Sequence, residues 1–141
     1  MKESVSTAVG ITAGLVSWLV GGFDTPVLAL VICMSVDYIT GLIVAGVFHT
    51  SPKTEGGGLS SRVGWKGLAR KFVTLLIVVV ANLADLLLGQ CCIRDAAVVG
   101  FCANECISIL ENAGCMGIRI PKVVRDALEH LNKEEQEHDG T

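Results

Sequence analysis

The chain has 141 residues, the length of one domain, and 51% of them are hydrophobic while 18% are charged, below the roughly 25% usual in soluble domains. Its mean hydropathy of +0.59 excludes intrinsic disorder, and a net charge of −3 leaves no basic footprint for nucleic acid. Polar residues gather at the extreme N-terminus, in 49–71 and after Glu111, the pattern of an all-α integral membrane protein.

In chain order, residues 4–23 carry no charge, a length sufficient to cross a hydrocarbon core of about 30 Å. A cleaved signal peptide is disfavoured, because no A-x-A-like site follows and more hydrophobic segments come after it. Asp24-Thr25-Pro26 makes a turn, and a second span covers about 26–48, interrupted by Asp37. A third covers about 72–93, interrupted by Asp85, and a fourth about 96–113 contains Glu105 and Glu111. Segment two holds twelve Leu, Ile, Val or Phe residues, worth roughly 4–7 kcal/mol of insertion energy, which outweighs the roughly 2.5–3.5 kcal/mol cost of one Asp. Segment four has six, worth roughly 2–4 kcal/mol, and does not insert well alone. Three to four transmembrane helices are therefore expected within a membrane domain of residues 1–117.

Between spans two and three lies a basic loop, 49–71. Its glycine-rich first half, with Gly56, Gly57 and Gly58, is expected to be flexible. Arg62, Lys66 and Arg70 then repeat every four residues opposite Trp65, Leu68, Ala69 and Phe72, and Lys71 follows. This is a juxtamembrane helix suited to an anionic membrane surface, or an ordinary positively charged stop. Residues 118–141 read as an amphipathic helix opened by Pro121 and a solvated, charged tail from 133 onward. Lys and Arg concentrate in 49–71 and in the tail. Four spans with both termini in the cytoplasm place both basic regions inside, as the positive-inside rule requires.

Six cysteines lie mostly in apolar runs, where thiols pack as small hydrophobes. They lack the CxxC spacing of a zinc site, so no metal is expected. No GxSxG or HExxH motif occurs, and neither an enzyme activity nor a cofactor is expected.

The sharpest signals are polar groups within the spans, because they are costly there and face a bundle interior or water. Asp37 shares a helical face with Gly41, and Asp85 with Asn82. On segment four, Asn104, Ser108 and Glu111 form one polar strip, and Glu105, Ser108 and Asn112 an adjoining one. Two readings stand: a hydrated path or assembly interface, or internal hydrogen bonding that fixes helix packing. In span one, Gly10, Gly14 and Gly21 form a small-residue strip for close helix contact, within the chain or between chains.

Those residues resemble a family of small phage holins that includes toxin-secretion holins. The resemblance runs through Asp37-Tyr38-Ile39-Thr40-Gly41, Lys66-Gly67-Leu68-Ala69-Arg70-Lys71 and the intramembrane Asp85. It continues through Asn104-Glu105-Cys106-Ile107-Ser108-Ile109-Leu110-Glu111-Asn112 to Gly117 and Pro121. It implies a homo-oligomer in the host bacterial cytoplasmic membrane that opens lesions on a schedule. An endolysin or a toxin would pass through them without required direct contact, and no cofactor would take part. The rival expectations are a small ion- or proton-coupled channel or transporter, and a regulatory membrane subunit that does not permeabilise.

Overall fold

The computed structural model describes residues 1–139 and is all-helical, with no strand among the described residues. Helix α1 spans Lys2–Leu19, α2 Thr25–Ile43, α3 Ser61–Leu88, α4 Ile93–Cys115 and α5 Lys122–Asp139. A π-helical turn, Val44–Phe48, prolongs α2.

Two of these helices have the length and apolarity to cross a bilayer: α2 with its π turn, 24 residues, and α3, 28 residues. This is fewer than the three to four expected from the sequence. The shortfall has a local cause in each remaining segment. Lys2 and Glu3 lie inside α1, whose 18 residues also include several Ser and Thr, and α4 carries Arg94, Asp95, Glu105 and Glu111. The juxtamembrane basic segment and the third span are one uninterrupted helix. At 1.5 Å per residue α3 is roughly 42 Å long, so its basic first turns extend past a hydrocarbon layer of about 30 Å.

Helix α4 is the centre of the bundle, packing most extensively on α2 and next on α3, whereas α2 and α3 touch each other little. Leu30, Val27, Val78 and Val98 are fully buried, joined by Val20 and Met34 from α1's end and α2. The outer faces are apolar and open: Ile11 and Leu15 on α1, Ile32 and Ile39 on α2, and Phe72, Val80 and Leu87 on α3 are all exposed. This inverts the usual soluble arrangement and suits hydrocarbon as the surrounding solvent.

The connections explain the geometry. Asp24 caps α2, its carboxylate accepting from Val27 N at 3.4 Å, and Gly21 and Gly22 turn the chain with positive φ of 79° and 101°. The segment 49–60 is folded rather than a flexible linker. His49 ends the π turn in the left-handed region with φ of 52°. Ser51 N donates to Gly57 O at 3.1 Å, Thr54 Oγ1 to Gly58 O at 2.8 Å, and Thr50 Oγ1 to Cys115 O at 3.1 Å. At Gly57, φ is 74° and an added Cβ would strike the His49 carbonyl, so this turn requires glycine. The last bond ties the loop to the end of α4.

Helix α5 packs against α4 and continues to Asp139, so the charged stretch expected as a solvated tail is helical that far; residues 140 and 141 lie outside the described residues. Val123 and Val124 on α5 are exposed.

Candidate functional site

Asp37 lies about two-thirds of the way along α2 and its side chain points into the bundle, where a carboxylate loses its water and a partner is needed. Lys71 of α3 supplies one, its Nζ 2.8 Å from Asp37 Oδ2. The same ammonium contacts Glu105 Oε2 of α4. The side chains are 15% exposed for Lys71, 11% for Asp37 and 15% for Glu105, so one cation links three helices under little solvent screening.

About two turns further along α4, Asn112 is buried. Its Nδ2 donates to Asp37 Oδ1 at 3.1 Å, to Asp37 O at 3.3 Å and to Thr40 Oγ1 at 2.9 Å. Thr40 Oγ1 in turn donates to Asp37 O at 3.0 Å. No buried side-chain nitrogen or oxygen among the described residues lacks a partner, which is what a low-dielectric interior demands. Formally the cluster of Asp37, Lys71 and Glu105 keeps one excess negative charge.

Above this cluster, on the side of the 49–60 loop, sits a cavity of about 90 Å³, room for several waters. Asp37, Lys71 and Asn112 form its floor, and small residues Gly41, Ala45, Gly64 and Gly67 line its walls. Gly41 leaves an added Cβ 3.7 Å from Asn112 Nδ2, so its packing role is modest.

A second polar cluster lies at the opposite end of the bundle. Asp85 near the end of α3 accepts from Ile93 N at 3.0 Å and Arg94 N at 2.8 Å. It thereby satisfies two orphan amides at the N-terminus of α4 from another helix. Asn82 Nδ2 donates to Leu19 O at 3.1 Å, binding the end of α1. Arg94 donates to Gly21 O at 2.7 Å and to Asp95 Oδ1 at 2.7 Å, and pairs with Asp24. The α1–α2 turn is thus held by α3 and α4.

The sequence-predicted residues therefore separate into groups. Asp37, Glu105 and Asn112 meet in one cluster; Asn82 and Asp85 belong to the other, where both bond to backbone groups. Ser108 is half-buried on the inner side of α4, while Asn104 and Glu111 are exposed on its outer side. Arg62, Lys66 and Arg70 face outward and are exposed. Lys71, grouped with them from sequence, turns inward instead. It follows Arg70 directly and so stands about 100° off the four-residue repeat, the signal that marks it as different. Gly21 packs beneath Asn82 and Arg94, whereas an added Cβ on Gly10 or Gly14 has nothing within 4 Å. Among the described residues, no group of three or more His, Cys, Asp or Glu side chains converges in a metal-holding arrangement.

The sequence model of the bacteriophage holin family matches residues 14–133. A protein of Listeria innocua is 38% identical over 127 residues, covering 86% of this chain and 85% of that one. A protein of Halalkalibacterium halodurans is 34% identical over 141 residues, covering 96% and 98%. The protein named a probable holin of Bacillus phage phi105 is 37% identical over 94 residues, covering 66% of this chain and 64% of that one. No solved structure matches. The match spans α2, α3, α4 and both polar clusters, and with the two apolar helices it marks a membrane protein: the chain belongs to the bacteriophage holin family.

Proposed function

We propose that the chain accumulates in the bacterial cytoplasmic membrane, self-associates and opens lesions through which an endolysin or a toxin leaves the cytoplasm without binding it. The observation that carries this reading is the Asp37–Lys71–Glu105–Asn112 cluster, charged and hydrogen-bonded yet enclosed by helices whose outer faces are apolar. Such a bundle is stable in lipid while closed and holds polar surface that tolerates water once its helices part. Asn104 and Glu111, exposed on the outer side of α4, offer polar groups for contact between copies. The glycine face of α1 at Gly10 and Gly14 meets nothing within the protomer and is free for the close approach of a neighbouring helix.

In this reading α1 and α4 enter the membrane alongside α2 and α3. The exposed basic face of Arg62, Lys66 and Arg70 and the α5 segment then lie on the cytoplasmic side together with both termini. Inducible expression in bacteria that lack an endolysin tests it. Abrupt depolarisation with escape of a large cytosolic enzyme, after gentle opening of the wall, is the expected result. Cells that stay polarised while making the protein would overturn it.

A second reading has a specific observation behind it. The cavity of about 90 Å³ is largely apolar-walled but reaches Asp37, Lys71 and Asn112, a short vestibule over charged groups, as in a small ion- or proton-conducting channel. Depolarisation with the enzyme retained would favour that reading.

A further inference from the structure

Three cysteines meet where α2 packs against α4. Cys33 Sγ and Cys106 Sγ are 4.0 Å apart, and Cys102, one turn before Cys106 on the same face of α4, also neighbours Cys33. All six cysteines of the chain are free thiols. The polar clusters involve none of these three, and packing alone does not require a thiol on both helices. A disulfide has an S–S length of about 2.05 Å, so roughly 2 Å of approach separates the pair from a bond. Adjustment of the two side-chain torsions between helices already in contact is of that order. Cys106 Sγ is within weak hydrogen-bond reach of Cys33 Sγ, and Cys102 also approaches Cys33.

We propose that Cys33 and Cys106 form a reversible disulfide that ties α2 to α4 within one protomer. The oxidant is a membrane-soluble two-electron acceptor of the quinone class. Each thiol gives up its hydrogen, one S–S bond forms, and the two electrons and two protons reduce the quinone to a quinol. A small thiol reverses the step by exchange: it attacks one sulfur of the pair to give a mixed disulfide, and a second small thiol then releases the remaining protein thiol. The tether crosses the most extensive helix contact of the bundle. Its functional consequence, holding the closed bundle together, rests on the permeabilising reading above; the bond itself does not.

The test uses the full chain with Cys91→Ser, Cys92→Ser and Cys115→Ser, which removes the two exposed thiols of the α3–α4 turn and the one at the end of α4. Membranes are treated with the thiol oxidant diamide, then with an alkylating agent, and the protein is mapped by peptide mass spectrometry. The expected product is an intrachain Cys33–Cys106 peptide pair lighter by two hydrogens, lost on adding dithiothreitol and absent in both Cys106→Ser and Cys106→Ala. Thiols that remain fully alkylatable, a bond mapped to Cys33–Cys102, or cross-links only between chains would each overturn the assignment. In expressing cells, diamide should delay depolarisation several-fold, with no delay in Cys106→Ala. An intrachain bond with unchanged timing overturns the tether's role. An intrachain bond in cells that never depolarise, reduced or oxidised, removes the permeabilising reading and leaves the disulfide standing.

Discussion

Lys71 Nζ on α3 lies 2.8 Å from Asp37 Oδ2 on α2, and this ion pair joins two helices that otherwise barely touch. The pair persists because Glu105 of α4 shares the ammonium, so α4 mediates what α2 and α3 do not provide directly. Removing the cation is far worse than removing one anion. Lys71→Met leaves two carboxylates close together and unpaired, at a cost of about 3–5 kcal/mol. Arg70→Met, one residue away and exposed, should stay within about 0.5 kcal/mol of the parent. Denaturant unfolding in detergent micelles, followed by circular dichroism, measures both. Equal effects would refute the inward placement of Lys71.

Asp37→Asn should be milder than Lys71→Met. It keeps a carbonyl oxygen for Asn112 and leaves Lys71 paired with Glu105, removing the cluster's excess negative charge. Asn112→Ala forfeits bonds to Asp37 and Thr40, and interhelical side-chain hydrogen bonds in membranes average about 0.6 kcal/mol each. The expected order of destabilisation in micelles is Lys71→Met first, then Asn112→Ala and Asp37→Asn close together. An Asp37→Asn protein less stable than Lys71→Met would contradict the shared-cation arrangement.

Much of this was legible in the sequence, for identifiable reasons. Asp37, Glu105 and Asn112 stood out because polar groups within apolar segments are costly and need partners. Their mutual contact was not legible, since it depends on α4 lying between α2 and α3. Lys71 adjoins three basic residues in sequence, and its angular offset alone distinguishes it from them. Asp85 looked like a mid-span charge because the uncharged run continues past it to Ile93. In the structure the helix ends at Leu88, so Asp85 reaches the next helix start. Three consecutive glycines within 51–61 predict a flexible loop, yet Gly57 lets the chain pass beside the His49 carbonyl.

Because Asp85 caps α4 from α3, its removal should act locally. Asp85→Ala frees two backbone amides, those of Ile93 and Arg94, and a lost cap costs about 0.5–2 kcal/mol. Hydrogen exchange should accelerate at residues 93–97 with little change at 104–112. Asp85→Asn keeps one acceptor and should recover part of the protection. Uniform acceleration along α4 would mean that the carboxylate serves the whole bundle rather than the helix start.

The glycines of the N-terminal helix offer the clearest separation of folding from assembly. Gly21 has φ of 79°, and an added Cβ would collide with Asn82 and Arg94, so Gly21→Ala combines backbone strain of about 1–3 kcal/mol with a steric clash. Its stability as a monomer in detergent should fall. Gly10→Ala and Gly14→Ala place a methyl where nothing lies within 4 Å, and alanine is the better helix former by about 1 kcal/mol. Monomer stability should therefore hold or rise slightly in both. If that face meets a second copy, the same two substitutions weaken self-association, read by cross-linking in membranes, and delay depolarisation in expressing cells. Unchanged cross-linking in the Gly10→Ala/Gly14→Ala double variant would remove the face from the assembly, because the protomer itself gives these glycines no packing role.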